Sequence, residues 1–253
     1  GGVRMSAENE EITQPAGFEI FFAGLFKSIG ASPEDMGMKR FNRDKFPELY
    51  PATLDEFAEL LPSDLSWQQQ AIRPMLARTS MAERPLKLVF DAEEHGWDAY
   101  EFHRRCDKLG PGVVIARTAA GAICGGYNPK GWVGLGEYRG SVAAFLFTWP
   151  DGDVAKRPMK LRKVGGSSLA CVDNPETGPQ FGNDGLFIPL QGSPTARCKL
   201  GPYYERRADG SNSIFADSEK ITSTQLIELK VFVGEYEEGE EIPYDDAIPF
   251  QLE

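Results

Sequence analysis

The sequence predicts an α+β, β-rich fold: a two-layer antiparallel β-sandwich flanked by helices and preceded by a small helical region. Three observations carry the prediction. From Leu86 onward, short β-prone runs bounded by Gly, Pro, Asn and Asp follow one another closely. VAAFLFT (142–148) is almost continuously apolar, as a strand buried on both faces would be. Few helical patterns interrupt these runs, and strands without alternating helices pack as antiparallel sheets.

Residues 1–15 are polar and acidic and are set aside as a flexible N-terminal segment. Within them, Val-Arg-Met-Ser-Ala resembles what remains beside the processing site of a plastid transit peptide. Residues 16–80 form the helical region. Phe18, Phe21, Phe22, Leu25, Phe26 and Ile29 recur at helical spacing, and Gly30 ends the pattern. Ser32-Pro33-Glu34-Asp35 reads as an N-cap with proline at the first helical position. Thr53 to Glu56 reads as a capping box, with Leu54, Phe57 and Leu61 on one face and Pro62 as the stop. A third helix is expected over 64–78, bending at Pro74.

The β-rich domain is placed at 81–235. LKLVF (86–90) is its first strand. Asp98 then stands at an N-cap position with Glu101 three residues later, and Phe102, Cys106 and Leu109 make one apolar stripe. Gly110 and Pro111 are expected to end that helix. VVIART and AICGGY flank Ala119, Ala120 and Gly121 as a hairpin. MKLRK (159–163) and LIELKVFV alternate, the latter placing Ile227, Leu229, Val231 and Val233 inward. Gly185 to Leu190 reads as a short strand, and 191–222 as loops. The segment 236–253 is an acidic tail, expected to be solvated.

Composition narrows the function. The net charge is −11 and the pI about 4.8, which disfavours nucleic acid and anionic lipid as partners. No run approaches the roughly 18 apolar residues a membrane span needs. The four cysteines (106, 124, 171 and 198) form no C-x-x-C pair and read as buried, reduced thiols. With His95 and His103 the only histidines, a zinc site of standard spacing cannot be assembled. The stretch 42–57 lacks the central glycine of a calcium loop.

Two other motifs invite chemistry. Gly134 to Gly140 imitates a dinucleotide fingerprint, but its last glycine is one residue late and a strand is expected to follow. His103 and Cys106 share a helix face, yet a nucleophile pair needs a poised thiolate and a third orienting group. The reading adopted is a core Cys106 beside a surface His103 among Glu101, Arg104 and Arg105. Neighbouring carboxylates such as Glu93 with Glu94 do not converge on a substrate.

Taken together, Gly96-Trp97, Phe102-His103, Cys106-Asp107, Gly110-Pro111, Gly125-Gly126-Tyr127 and Trp132 resemble the TLDc domain family. Later segments agree in order: Phe145-Leu146-Phe147, Gly178-Pro179-Gln180-Phe181-Gly182 with Asp184, Leu200 to Tyr204, and Ile227 to Phe232. The resemblance covers residues 86 to 234. The sequence departs from it at Gly182-Asn183-Asp184-Gly185, where many members carry a denser glycine run, and at Lys163 to Gly166, where many animal members have tryptophan-glycine.

The resemblance implies the same sandwich with flanking helices. It also implies a protective role in oxidative stress and, for several members, docking on the cytosolic sector of the vacuolar-type proton ATPase. It brings no established reaction, cofactor or metal. Trp97, Phe102, Cys106, Gly110, Pro111, Gly125, Gly126, Trp132, Phe147, Gly178, Pro179 and Gly182 are therefore fold markers, with the aromatics expected in the sandwich core. The expectation is a non-enzymatic docking module, cytoplasmic and peripheral to a membrane. Two alternatives are a peripheral subunit of a plastid membrane complex and a redox-active or enzymatic protein with an exposed cysteine.

Overall fold

A computed structural model describes residues 43–44, 47–60, 64–166, 169–215 and 222–242. All of them belong to one compact unit, Asn42–Glu253. The expected Phe18–Ile29 helix, the Ser32 cap and the tail beyond Ile242 lie outside the described residues.

Helix α1 (Trp67–Ile72) starts at Ser66, whose hydroxyl accepts from the Gln69 N–H while the Gln69 side chain returns to the Ser66 backbone. That reciprocal cap makes so short a helix tenable. A 3-10 turn, Pro74–Leu76, follows, so the helical backbone changes character at the expected proline. The helix expected from Thr53 does not form over residues 51–60. Its backbone bonds elsewhere, with the Ala58 N–H donating to Pro74 O at 2.8 Å, and Phe57 packs against the core instead. A capping signal on a stretch this short is overridden by tertiary packing.

The β domain opens with β1 (Leu86–Asp91), a single turn α2 (Ala92–His95) and α3 (Ala99–Cys106). Asp98 caps α3 by accepting from the Glu101 N–H. The helix ends four residues before Gly110, because Asp107 turns extended and bridges to Trp132, and the Lys108 N–H donates to Trp132 O. Phe102 and Cys106 are buried as expected, whereas Leu109 lies past the helix and is only half-buried.

The strands are β2 (Gly112–Thr118), β3 (Ile123–Asn128), β4 (Glu137–Arg139), β5 (Phe145–Trp149), β6 (Met159–Arg162), β7 (Cys171–Asp173), β8 (Gln180–Phe181), β9 (Leu186–Phe187), β10 (Thr195–Arg197) and β11 (Ser223–Gly234). All their ladders are antiparallel, in the order β4-β7-β8-β9-β10-β11-β2-β3-β5-β6, with β1 also on β11. The fold is the expected β-rich α+β sandwich, not a closed barrel, and β11 is shared by both layers. Its first residues pair with β10 and its later ones with β2 and β1.

That sharing requires a bulge. The register of β11 on β2 shifts between Leu226 and Glu228, so Leu226 and Leu229 both point inward and Ile227 is left 53% exposed. The expected unbroken alternation is corrected at this position. The strand at Gly185–Leu190 is likewise reduced to Leu186–Phe187.

Two apolar cores result. One lies between the layers, with Val114, Ala116, Cys124 and Leu146 facing Cys171, Phe181, Leu186 and Ala196. The other covers the outer face of the first layer, where Val113, Ile115, Phe145 and Phe147 meet Ile72, Met75, Leu76 and Met81. Strand β5 is thus buried on both faces, as its composition predicts. Phe147 was expected between the sheets but belongs to the outer core, because β5 alternates Phe145 and Phe147 against Leu146. In β6 the expected alternation also fails. Met159 is exposed and Lys160 is buried, its Nζ donating to Met75 O at 3.0 Å and lying 4.5 Å from the centre of the Phe145 ring. Burial pulls the Lys160 ammonium down from its ordinary 10.5 to about 8.

Candidate functional site

Most of the fold-marking residues are scaffold. Phe102 meets Phe90 and Trp132 edge-to-face, with ring centres 5.6 and 5.4 Å apart, and all three are buried. Trp97 is half-buried against the same core. At Gly125 a Cβ would lie 1.8 Å from Val114 O, and at Gly126 2.7 Å from the Phe181 ring. At Gly178 a Cβ would lie 2.6 Å from Ile188 O, and the Gly178 N–H donates to Pro189 O while the Ile188 N–H donates to Pro179 O. Gly182 combines a φ of +63° with close contact to Tyr203. Close packing against backbone or aromatic and aliphatic side chains, not chemistry, selects these glycines.

All four cysteines are free and buried, in the one core between the layers. Burial pushes each thiol up: Cys106, Cys124 and Cys171 far above the usual range and Cys198 to about 12. The Gly134–Gly140 stretch leads into the edge strand β4, not into a helix, which removes the nucleotide context.

Open grooves mark the surface of the described residues. One, of about 730 Å³, runs along Arg84, Lys87, Tyr236 and Glu240. It is internally satisfied, since the Arg84 guanidinium lies 4.0 Å from the centre of the Tyr236 ring and 2.6 Å from Glu240. The second, of about 510 Å³, is lined by Gln180, Asp184, Arg197 and Lys199.

The described residues bring titratable groups together at a different place, and there the sequence reading needs correction. His103 is 8% exposed, not on the surface. Helix α3 turns it toward the loop after β7, where Nε2 donates to the carbonyls of Asn174 and Thr177, each at 2.9 Å. Its Nδ1 stands 2.8 Å from Asp107 Oδ1, one helical turn on. Every neighbour of the ring nitrogens accepts, an arrangement that favours the charged imidazolium over the neutral ring. Burial opposes that charge, but the Asp107 carboxylate outweighs it and holds the pKa above its ordinary value. Asp173, at the end of β7, completes the group. Its Oδ2 accepts from the Val133 and Gly134 N–H groups, at 2.9 and 2.8 Å. Burial raises its pKa, against those N–H bonds.

The cluster ties one helix to two loops, 132–136 and 174–177. With both ring nitrogens engaged, His103 has no lone pair to offer as a general base. These three residues can present one nitrogen and two carboxylate oxygens to a metal, all within 4.8 Å of one another. Sequence reasoning placed His103 at the surface and passed over Asp107 and Asp173. The i, i+4 spacing of His103 and Asp107 was an available signal, but nothing local announces Asp173.

Around this cluster the surface carries large apolar side chains. A Cβ at Gly134 would meet Asp107 and His103, and beyond it Leu135 is 55% and Tyr138 70% exposed. Tyr100, one turn before His103 on α3, is 71% exposed. Among the described residues no helix is long and apolar enough to cross a membrane.

No curated protein matches the chain. The family model of the TLDc domain matches residues 64–225, more than half of its length, and overlaps most of the segment over which the motifs above occur in order. The chain therefore belongs to the TLDc domain family.

Proposed function

We propose that this chain is a non-enzymatic docking module that binds a large membrane-associated assembly, in a role that protects against oxidative stress. The observation that carries the reading is the contrast between the two sets of aromatic and aliphatic residues. Most of the fold-marking ones are packed inside, whereas Tyr100 on α3, Leu135 in the loop 132–136 and Tyr138 on the edge strand β4 stand exposed. Exposed tyrosines on a rigid frame make good interface anchors, because they bury large area at low entropic cost. The net charge of −11 suits a basic face on the partner. Family membership points to the peripheral sector of a vacuolar-type proton pump as that partner. The deep burial of all four thiols weighs against a redox or cysteine-based enzyme.

The test is affinity capture from native membranes and soluble extract, using the full chain and a Leu135→Asp/Tyr138→Asp variant of unchanged melting temperature. Recovery of peripheral proton-pump subunits by the parent, and their loss with the variant, is the expected result. Recovery of plastid complex subunits would keep the docking reading and replace the partner. Capture that is indifferent to the variant would remove this edge as the interface, and turnover of a small molecule without a stable partner would overturn the docking reading itself.

A further inference from the structure

We infer that His103, Asp107 and Asp173 form a binding site for one divalent transition-metal ion, zinc or manganese, which cements α3 to the loops 132–136 and 174–177. Convergence alone would not carry this, since one histidine beside two aspartates is an ordinary polar cluster. Asp173 supplies the second observation. It is 1% exposed, and while Oδ2 takes two backbone N–H groups, Oδ1 is buried with no hydrogen-bond partner among the described residues. A buried carboxylate oxygen without a donor is costly to leave so, and a cation answers that need directly. The Thr177 hydroxyl, on the residue whose carbonyl takes the His103 Nε2–H, is also buried without a partner among the described residues.

The surroundings are those of a metal-ligating histidine. Nε2–H is fixed by two backbone carbonyls, which sets the ring orientation and leaves Nδ1 directed at the carboxylates. Gly134 keeps the space clear, for a Cβ there would lie 2.4 Å from Asp107 Oδ2 and 3.5 Å from His103 Nδ1. Charge is consistent as well. An ion taking the place of the Nδ1 proton releases that proton, and its two positive charges balance the two carboxylates. Arg139 also acts electrostatically on Asp173, so the site is not over-negative without metal.

One imidazole with two carboxylates selects a borderline ion over magnesium or calcium. Ligand atoms around tetrahedral zinc stand about 3.4 Å apart at bond lengths near 2.1 Å. The ligand atoms lie within 4.8 Å of one another, so the proposal requires the group to contract by about 1.4 Å as the ion binds. Standard zinc spacings presuppose two or more histidines or cysteines close in sequence, whereas here the third ligand comes from another strand. The site is independent of the docking reading.

The test uses the full chain, stripped with a chelator at neutral pH and titrated with Zn²⁺ and Mn²⁺ in excess Mg²⁺. One equivalent of Zn²⁺ is expected, with affinity falling at least about 100-fold in Asp173→Asn and unchanged in His95→Gln. Because Asp173→Asn alters a buried acceptor of two backbone N–H groups, the same site is also read in the parent protein by pulsed electron paramagnetic resonance of bound Mn²⁺. Coupling to a single imidazole ¹⁴N that persists in His95→Gln is the expected signature. Absence of stoichiometric binding, an ion without nitrogen coupling, or unchanged affinity in a folded Asp173→Asn would each overturn the assignment.

Discussion

Gly125 is the residue with the least room for change. It lies in the middle of β3, paired with Ile115 on one side and Phe147 on the other, and a Cβ would stand 1.8 Å from Val114 O and 2.8 Å from the Phe147 ring. Relief would require moving backbone of a central strand, not the end of a flexible side chain. Gly125→Ala should therefore cost about 3 kcal/mol or more, the upper end of overpacking penalties. Gly121 offers the contrast: nothing stands within 4 Å of its Cβ position, and only its φ of +95° opposes a side chain. Gly121→Ala should cost about 1 kcal/mol. Denaturant unfolding of both variants checks the ranking, and equal costs would mean that crowding is not what selects glycine in β3. At this scale the paired glycines of GGY were legible as places of close approach, since few other roles suit glycine inside a strand. His103 was not legible. Its sequence neighbours are charged, and its burial depends on carbonyls about 70 residues away that no local pattern displays.

Among elements, the readable ones were those whose partners are adjacent in sequence. The β2–β3 hairpin and the Asp98 cap of α3 followed from local chemistry. The expected Thr53 helix failed because its backbone bonds to the Pro74 turn, and the end of α3 shifted because Asp107 bridges to Trp132. Strand β11 shows the same division. Its apolar content marked it as a core strand, but its phase depends on serving two layers at once, with a bulge between Leu226 and Glu228. The bulge predicts unequal consequences for residues that simple alternation would treat alike. Leu229→Ala, at a fully buried position, should cost 2–5 kcal/mol, a range of about that size being usual for core leucines. Ile227→Ala, on the exposed side of the bulge, should stay within about 0.5 kcal/mol. Thermal melts of the two variants decide, and a large loss at Ile227 would restore the unbroken alternation.

For the whole molecule, the sandwich was legible from many short strands, and its family from motifs occurring in a fixed order. What no local window contained was the layering: the first sheet is covered on one face by the second and on the other by Ile72, Met75, Leu76 and Met81. This layering gives the thiols a shared fate. Cys106, Cys124, Cys171 and Cys198 come from a helix, two strands and a loop, yet all lie in the core between the layers. None can meet an alkylating reagent unless that core opens, and one core opens as a unit more readily than in four separate places. Native protein at neutral pH should therefore label all four cysteines slowly and at one common rate, read by mass spectrometry of the peptides. The rate should rise together for all four as denaturant lowers global stability, because modification then follows the open population. A single cysteine labelling well ahead of the others would reveal a local opening into the core and would return thiol chemistry to consideration for this domain.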